Sequence, residues 1–190
     1  MRKLITIGFA AISAAVIFGA WVQSDNGKAG YTNSPSENNC TSCHNSYALN
    51  SGGGSIYLTS TMSNWQYVPG TTYTINVVVK KTGLSLFGFD IEALTSANAN
   101  AGTLVITNTT KTQLKNATVG GVARINVVHK SNGGASSDSS VFSFNWTAPT
   151  TNIGNVTLYY TGAATNNDGN ETYDYIYSGS RLVTPMVSTY

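Results

Sequence analysis

The chain contains two cysteines, three positions apart, and a histidine directly follows the second one. They read Cys40-Thr41-Ser42-Cys43-His44, which is the C-x-x-C-H pattern of covalent haem attachment. Two thiols at this spacing can each form a thioether with one vinyl group of the ring, and the adjacent imidazole can then ligate the iron. The spacing therefore predicts one haem c, held covalently by Cys40 and Cys43, with His44 as the proximal iron ligand.

Zinc, a redox pair and a disulfide are the other interpretations of the same cysteines. A structural zinc site needs about four Cys or His ligands, and the whole chain has two of each. A thioredoxin-like C-x-x-C pair belongs to a βαβ unit, whereas the flanking sequence here is loop-like, rich in Asn, Ser and Gly. A local disulfide between Cys40 and Cys43 stays open as the third alternative.

The sixth iron ligand has few candidates. His129 is the other histidine of the chain, and it ends a strand-like stretch in which Ile125, Val127 and His129 share one face by the two-residue period of a strand. A lone histidine beside apolar neighbours is usually a satisfied core residue, but a porphyrin needs both an apolar wall and a Lewis base. We therefore expect His129 as the distal ligand, with Met62 and then Met186 as fallbacks and an open position otherwise. Paired histidines give a lower potential than a His/Met pair.

The first twenty residues have the layout of a secretory signal. Arg2 and Lys3 precede an almost unbroken apolar run from residue 4 to residue 20, as charged and apolar signal regions do. An uncleaved N-terminal anchor is the alternative, because the run approaches the lower limit of about 17 residues for spanning a bilayer and Phe18 is large for a cleavage site. We expect export to the periplasm, the cell surface or the extracellular space.

Composition fits one domain in addition to the leader. The chain has 190 residues, of which 41% are hydrophobic, enough to bury a core and to exclude wholesale disorder. Only 9% are charged, while Thr, Ser and Asn fill 66 positions. Without Arg2 and Lys3, eight basic residues balance eight acidic ones. A neutral surface makes nucleic acid a poor partner.

Short alternating runs predict an all-β fold after an irregular arm. Residues 21–54 read as an extended haem-binding arm, and residues 55–180 contain seven or eight strand-like runs separated by Gly, Asn and Ser turns. Such spacing favours an Ig-like antiparallel two-sheet sandwich, with residues 181–190 as a tail. Strand parity predicts a core of Tyr73, Ile75, Val77, Phe87, Phe89, Ile125, Val127, Phe142, Phe144, Trp146, Val156 and Leu158.

The acidic residues are predicted to be exposed to solvent. Asp90 and Glu92 are interpreted as exposed charges on a strand, and the oxygen donors between residues 163 and 174 as a solvated hairpin, since Asn and Asp tolerate turn dihedrals. The same donors suit calcium, but their spacing fits no defined calcium loop. No Ser/His/Asp nucleophile set can be assembled from the chain, so an electron carrier is favoured over an enzyme.

A family resemblance extends over these motifs. The segments that carry it are Cys40-Thr41-Ser42-Cys43-His44, Tyr67-Val68-Pro69-Gly70, Phe87-Gly88-Phe89, Phe144-Asn145-Trp146-Thr147-Ala148-Pro149 and Val156-Thr157-Leu158-Tyr159-Tyr160. Their order resembles the bacterial reelin-like (Reeler) domain of the choice-of-anchor V type, in which a C-x-x-C-H segment precedes a β-sandwich. The resemblance spans about residues 30–178. It implies an exported Ig-like domain, often found on bacterial cell surfaces.

These observations lead to one main hypothesis and two alternatives. The main hypothesis is an exported monohaem c-type cytochrome that passes single electrons to redox proteins or to an extracellular acceptor, with no small-molecule substrate. The first alternative is a cell-surface adhesion or glycan-binding module with a Cys40–Cys43 disulfide. The second is a haem-based sensor or peroxidase-like enzyme with an open distal site. The neutral, Tyr-rich, β-rich surface also leaves self-association into an oligomer or filament open.

Overall fold

Ten strands form the framework of the protein in a computed structural model that describes residues 26–187. The leader predicted at residues 1–20 lies outside these residues. Apart from two short 3-10 turns at Cys40–Ser42 and Ser63–Trp65, the described elements are all strands. The strands are β1 Ser55–Ser60, β2 Gln66–Tyr67, β3 Thr72–Lys80, β4 Leu86–Thr95, β5 Thr103–Ile106, β6 Thr112–Val119, β7 Val122–His129, β8 Ser139–Thr147, β9 Val156–Thr165 and β10 Tyr175–Pro185.

The strands make two sheets that face one another. The smaller sheet has the order β1-β3-β8-β5, and the larger has the order β2-β10-β9-β4-β7-β6. Neighbouring strands are antiparallel except β2, which pairs in parallel with β10. The all-β, two-sheet sandwich predicted from the sequence is confirmed.

The core lies between the inner faces of the two sheets and follows strand parity. On β3 the alternate residues Tyr73, Ile75, Val77 and Val79 are buried, and on β8 the buried positions alternate in the same way. Eleven of the twelve residues predicted for the core are buried. Removing this apolar surface from water is the main stabilising contribution, about 25 cal/mol for each Å² buried.

Ile125 is the predicted core residue that is wrong. It is 40% exposed, although it shares a strand face with Val127, which is fully buried. The larger sheet has six strands and the smaller sheet has four. The short edge strand β5 is the last strand of the smaller sheet, so the inner face of the larger sheet is not covered beyond it. Ile125 therefore lines an open groove with Leu104 and Leu114 instead of a closed interior. The parity was right, but parity does not reveal how far the opposite sheet extends.

The arm covers the outer face of the larger sheet. Apart from the Cys40–Ser42 turn and a single bridge between Thr32 and Asn39, residues 26–54 are irregular. Because the arm lies over β4, this strand is buried on both faces. The expectation that Asp90 and Glu92 are exposed is therefore wrong, since both are buried beneath the arm.

The C-terminal boundary differs from the expected one. Strand β10 continues to Pro185, so residues 181–185, expected in the tail, pair within the larger sheet. Within residues 26–187, no helix has the length and apolar character needed to cross a membrane.

Candidate functional site

The two cysteines lie on a short turn that the sequence stabilises locally. Asn39 precedes the turn in an extended conformation, and its side chain accepts a hydrogen bond of 2.9 Å from the Thr41 amide, as helix N-caps do. The His44 amide donates to the Cys40 carbonyl at 3.0 Å. This closes one turn of backbone between the first cysteine and the histidine, so that Cys40, Cys43 and His44 are held together.

The two thiols have different surroundings. Cys40 is half-buried, and desolvation, with the nearby Asp90 and Cys43 as further causes, raises the pKa of its thiol to about 12. Cys43 is exposed. The outer cysteine is therefore open to reaction, whereas the inner one faces the sheet as a neutral thiol.

His44 is bound to a buried carboxylate from the other end of the chain. Its Nδ1 lies 2.6 Å from Oδ2 of Asp174, and the Asp174 side chain is 0% exposed against 25% for His44. The second oxygen of Asp174 accepts a hydrogen bond of 3.0 Å from the Asn166 amide. A carboxylate that accepts a hydrogen bond from Nδ1–H keeps the proton on that nitrogen and leaves the Nε2 lone pair available as a ligand atom.

Asp174 corrects the interpretation of the hairpin between β9 and β10. Asn166, Asp168 and Asn170 hydrogen-bond to one another in an exposed loop, as a solvated hairpin does. Asp174, at the base of the loop, is buried and forms the partner of His44. Sequence reasoning therefore missed one residue of the site, the acid that directly precedes β10.

Aromatic side chains border the histidine. Tyr47 stacks on Tyr175 with ring centroids 4.3 Å apart and planes 5° from parallel. Lys81 Nζ lies 4.7 Å from the centroid of the Tyr175 ring. Tyr173, directly before Asp174, is largely exposed, and its amide donates to Ser46 Oγ at 2.8 Å. The site thus opens onto a surface of tyrosine rings with a cation beside it.

The candidates for the sixth ligand lie on other elements. His129, at the end of β7, has Nδ1 at 3.0 Å from the Phe89 amide nitrogen and 3.1 Å from the Phe89 carbonyl oxygen. Met62 is buried in the core, and Met186 is exposed after β10. Within residues 26–187, no three His, Cys, Asp or Glu side chains are grouped so as to hold a metal ion. The distal role of His129 stays a prediction.

A buried polar network fastens the arm to β4 and β7. Thr32 Oγ1 lies 2.6 Å from Oε2 of Glu37 and 2.9 Å from Oε1 of Glu92, and Arg124 Nη1 donates to both oxygens of Glu92 at 3.2 and 3.3 Å. The Tyr31 amide donates to Asp90 at 2.9 Å. These contacts place the arm that carries the C-x-x-C-H segment over the sheet.

The network holds more carboxyl groups than cations. Burial raises the pKa of Asp90 well above its usual range, although hydrogen bonds from Tyr31 and Asn126 oppose the shift. Burial also raises the pKa of Glu37, against hydrogen bonds from Thr32. Asn126 Oδ1 is buried beside Asp90 with no hydrogen-bond partner. A protonated Asp90 would supply the missing donor.

Comparison with solved structures identifies the architecture. No family model matches the chain, and no curated protein matches it at a significant level. The reelin-N domain of F-spondin superposes with a TM-score of 0.53 at 17% identity, covering 77% of this chain and 97% of that one. The fold is reelin-like. The human F-spondin reeler domain agrees, with a TM-score of 0.51 at 17% identity over 73% of this chain and 94% of that one.

At this identity the likeness concerns the fold alone. The reelin-like sandwich expected from the sequence motifs is therefore established, while the C-x-x-C-H segment is a separate feature to be judged on its own contacts. In this chain the segment lies on an arm that packs on the reelin-like sandwich, and the β9–β10 hairpin supplies its buried acid.

Proposed function

We propose that the protein is an exported monohaem c-type cytochrome, with one haem c attached to Cys40 and Cys43 and ligated by His44. The contact between His44 Nδ1 and Asp174 carries the proposal. Histidines that ligate metals almost always donate their other ring N–H to a carboxylate or a carbonyl. The buried Asp174 is one of the partners that metal-ligating histidines use.

The surrounding residues fit a haem in their chemistry. Cys43 is exposed, and Tyr47 and Tyr173 offer ring surface beside His44, which suits a large apolar plate. A cation stands near His44, since Lys81 Nζ lies 4.7 Å from the centroid of the Tyr175 ring. It can pair with a ring carboxylate. The Cys and His side chains, the tyrosine rings and the positive charge are thus each compatible with a bound haem.

Each residue has a distinct role in this proposal. When bound, the haem supplies one-electron chemistry, with the iron cycling between the ferric and ferrous states. Cys40 and Cys43 hold the group covalently, so an exported chain cannot lose it. Asp174 fixes the tautomer and orientation of His44 and makes the imidazole a stronger electron donor, which favours a low reduction potential. Redox proteins or an extracellular acceptor are the proposed partners.

His129 is our proposed distal ligand. Its Nδ1 accepts a hydrogen bond of 3.0 Å from the Phe89 amide and lies 3.1 Å from the Phe89 carbonyl oxygen. Ligation through Nε2 would require the other tautomer, in which Nδ1–H donates to that carbonyl. Met62 is the weaker candidate because it is buried in the core. An open distal position would instead favour a haem-based sensor or a peroxidase-like enzyme. Rapid binding of carbon monoxide or cyanide to the native protein distinguishes that case.

The test is expression of the full chain in a bacterium that exports and matures c-type cytochromes. The expected product is red, carries a mass increase of one haem, and keeps its Soret band after acid-acetone extraction. The Cys40→Ser/Cys43→Ser variant should lose the haem, and the matched Thr41→Ala/Ser42→Ala variant should keep it. A mature protein without haem, from cells whose other c-type cytochromes are loaded, overturns the proposal.

An adhesion or glycan-binding module with a Cys40–Cys43 disulfide is the second candidate. The reelin-like fold supports it, as does a surface rich in uncharged Thr, Asn and Tyr side chains. A colourless mature protein with no titratable thiol would favour this function over the cytochrome.

A further inference from the structure

The outer face of the smaller sheet presents ordered rows of polar side chains. Strands β3 and β8 are in continuous register from Thr72 opposite Thr147 to Lys80 opposite Ser139. Residues that alternate with the core therefore stand side by side across the strands, which lie about 4.8 Å apart. The rows combine Thr72 with Thr147, Thr74 with Asn145, Asn76 with Ser143, and Val78 with Val141.

Hydrogen bonds across the strands fix these side chains. The bonds join Thr72 Oγ1 with Thr147 Oγ1 at 2.8 Å, Thr74 Oγ1 with Asn145 Oδ1 at 3.1 Å, Ser143 Oγ with Asn76 Oδ1 at 2.6 Å, and Asn76 Nδ2 with Thr59 Oγ1 at 3.2 Å. Each hydroxyl and carboxamide has further donor or acceptor capacity beyond these bonds. The face is therefore a preorganised array of groups that can still bind outward.

The face is uncharged except at one end. From Thr72 to Val78 on β3, and opposite them on β8, no side chain carries a formal charge. Lys80 stands in the last row, and at the same end Lys111 Nζ donates to the Val141 carbonyl at 3.4 Å. The chain does place charges on other strands, such as Lys115 on β6 and Arg181 on β10. Tyr57, opposite Val78 on β1, is 43% exposed. A flat aromatic ring thus adjoins the neutral polar rows.

We propose that this face binds a neutral polysaccharide. Sugar hydroxyls are both donors and acceptors, so they match rows of hydroxyls and carboxamides, and the Tyr57 ring offers a surface for the apolar side of a pyranose. Cations stand at the Lys80 end and not along the rows from Thr72 to Asn76, so most of the face disfavours an acidic polymer. The proposal gives a site to the glycan-binding function named above as the second candidate. It does not depend on the state of Cys40 and Cys43, because the rows lie on the smaller sheet and the arm covers the larger one.

A second copy of the chain fits the face less well. Stacking two such faces would bury many hydroxyl and amide groups, and each group left without a partner costs about 1–3 kcal/mol. The apolar side chains on the face, Tyr57, Val78, Val141 and Val105, are too few to offset that cost. A polyhydroxylated ligand can satisfy the same groups one by one.

The experiment uses the full mature chain, with and without haem. Binding is measured by affinity electrophoresis in soluble neutral polymers (hydroxyethylcellulose, xylan, dextran) and by pull-down on cellulose, chitin and insoluble β-1,3-glucan, with alginate as the acidic control. Tyr57→Ala and Asn145→Asp are the face variants. Leu182→Ala and Asn116→Asp, both exposed residues elsewhere, are their matched controls. Circular dichroism and thermal unfolding confirm that each variant folds.

Retention by at least one neutral polymer is the expected result. Each face variant should weaken it by about fivefold to tenfold, as loss of one good contact does, while the control variants leave it unchanged. Binding should persist in Cys40→Ser/Cys43→Ser, which separates this proposal from the haem proposal. No retention on any neutral polymer overturns the inference. Three other results would also overturn it. They are preferential binding to alginate, binding that is unchanged in Tyr57→Ala and Asn145→Asp, and self-association that Asn145→Asp abolishes in sedimentation.

Discussion

His44 and Asp174 are 130 residues apart in the chain and 2.6 Å apart in space. The contact joins the arm to the hairpin between β9 and β10, and both partners gain from it. The histidine acquires a fixed tautomer, and the buried carboxylate acquires a donor in addition to the Asn166 amide. One hydrogen bond therefore links the C-x-x-C-H segment to the hairpin between β9 and β10.

Asp174→Asn should weaken this link. The carboxamide can still accept from the Asn166 amide, but it loses the negative charge that faces His44. We expect a loss of about 1–3 kcal/mol in the free energy of unfolding, as for a buried hydrogen bond to a charged group, and a higher reduction potential in haem-loaded protein. Urea unfolding and potentiometry measure the two effects. Asp168→Asn, in the exposed part of the same loop, is the control, and equal values for both variants would contradict the assignment.

Asp90 should make the protein less stable as pH rises. Its pKa is raised in the folded state by burial, so the unfolded chain deprotonates first. Stability is then complete below the unfolded pKa and is lost progressively up to the folded pKa, by about 1.4 kcal/mol for each pH unit that separates these two pKa values. Asp90→Asn, neutral at every pH, should flatten this decline as pH rises above about 4. Urea unfolding over that range, beside the exposed control Asp138→Asn, tests it; an unchanged slope would show that Asp90 is not the group responsible.

The two thiols should react at different rates in reduced, haem-free protein. Cys43 is exposed, and Cys40 has a pKa of about 12, so only about one part in ten thousand of Cys40 is thiolate at pH 8. Iodoacetamide should therefore modify Cys43 first, as peptide mass spectrometry can show. In urea both cysteines should react alike. Equal rates in the folded protein would mean that the Cys40 thiol is not enclosed by the arm and the sheet.

Val127 and Ile125 should respond differently to truncation. Val127→Ala removes buried apolar volume and should cost about 2 kcal/mol, whereas Ile125→Ala should stay within about 0.5 kcal/mol because the side chain is exposed in the groove. Chemical denaturation of the two variants gives the comparison. A similar loss for both would mean that the groove beside Leu114 is closed in solution.

Strand parity was enough to predict most of the fold from the sequence. Alternation along β3 and β8 identified which residues face the core, since a strand turns successive side chains to opposite faces. Parity does not tell whether the second face is covered. Asp90 and Glu92 alternate with buried residues as solvated charges would, and only the packing of the arm over β4 makes them interior groups.

The candidate site was predictable only as far as its residues are neighbours in sequence. Cys40, Cys43 and His44 are within five positions and carry a recognisable spacing. Asp174 carries no such signal, because its role depends on a contact between distant segments. The sequence placed it among the Asn and Asp residues of a turn, and nothing in its local pattern separates it from Asp168.

The arm packs over β4 and buries the second face of this strand, so it forms a third layer of the fold. Removing residues 26–54 would expose Glu92 and Arg124 and strip Asp90 of the Tyr31 amide. Grafting the same segment onto another sandwich would separate His44 from Asp174 and remove the sheet over which the Cys40–Ser42 turn lies. The C-x-x-C-H segment therefore cannot be transferred alone. Rebuilding this site in another scaffold also requires the acids of β4, Arg124 of β7 and the β9–β10 hairpin.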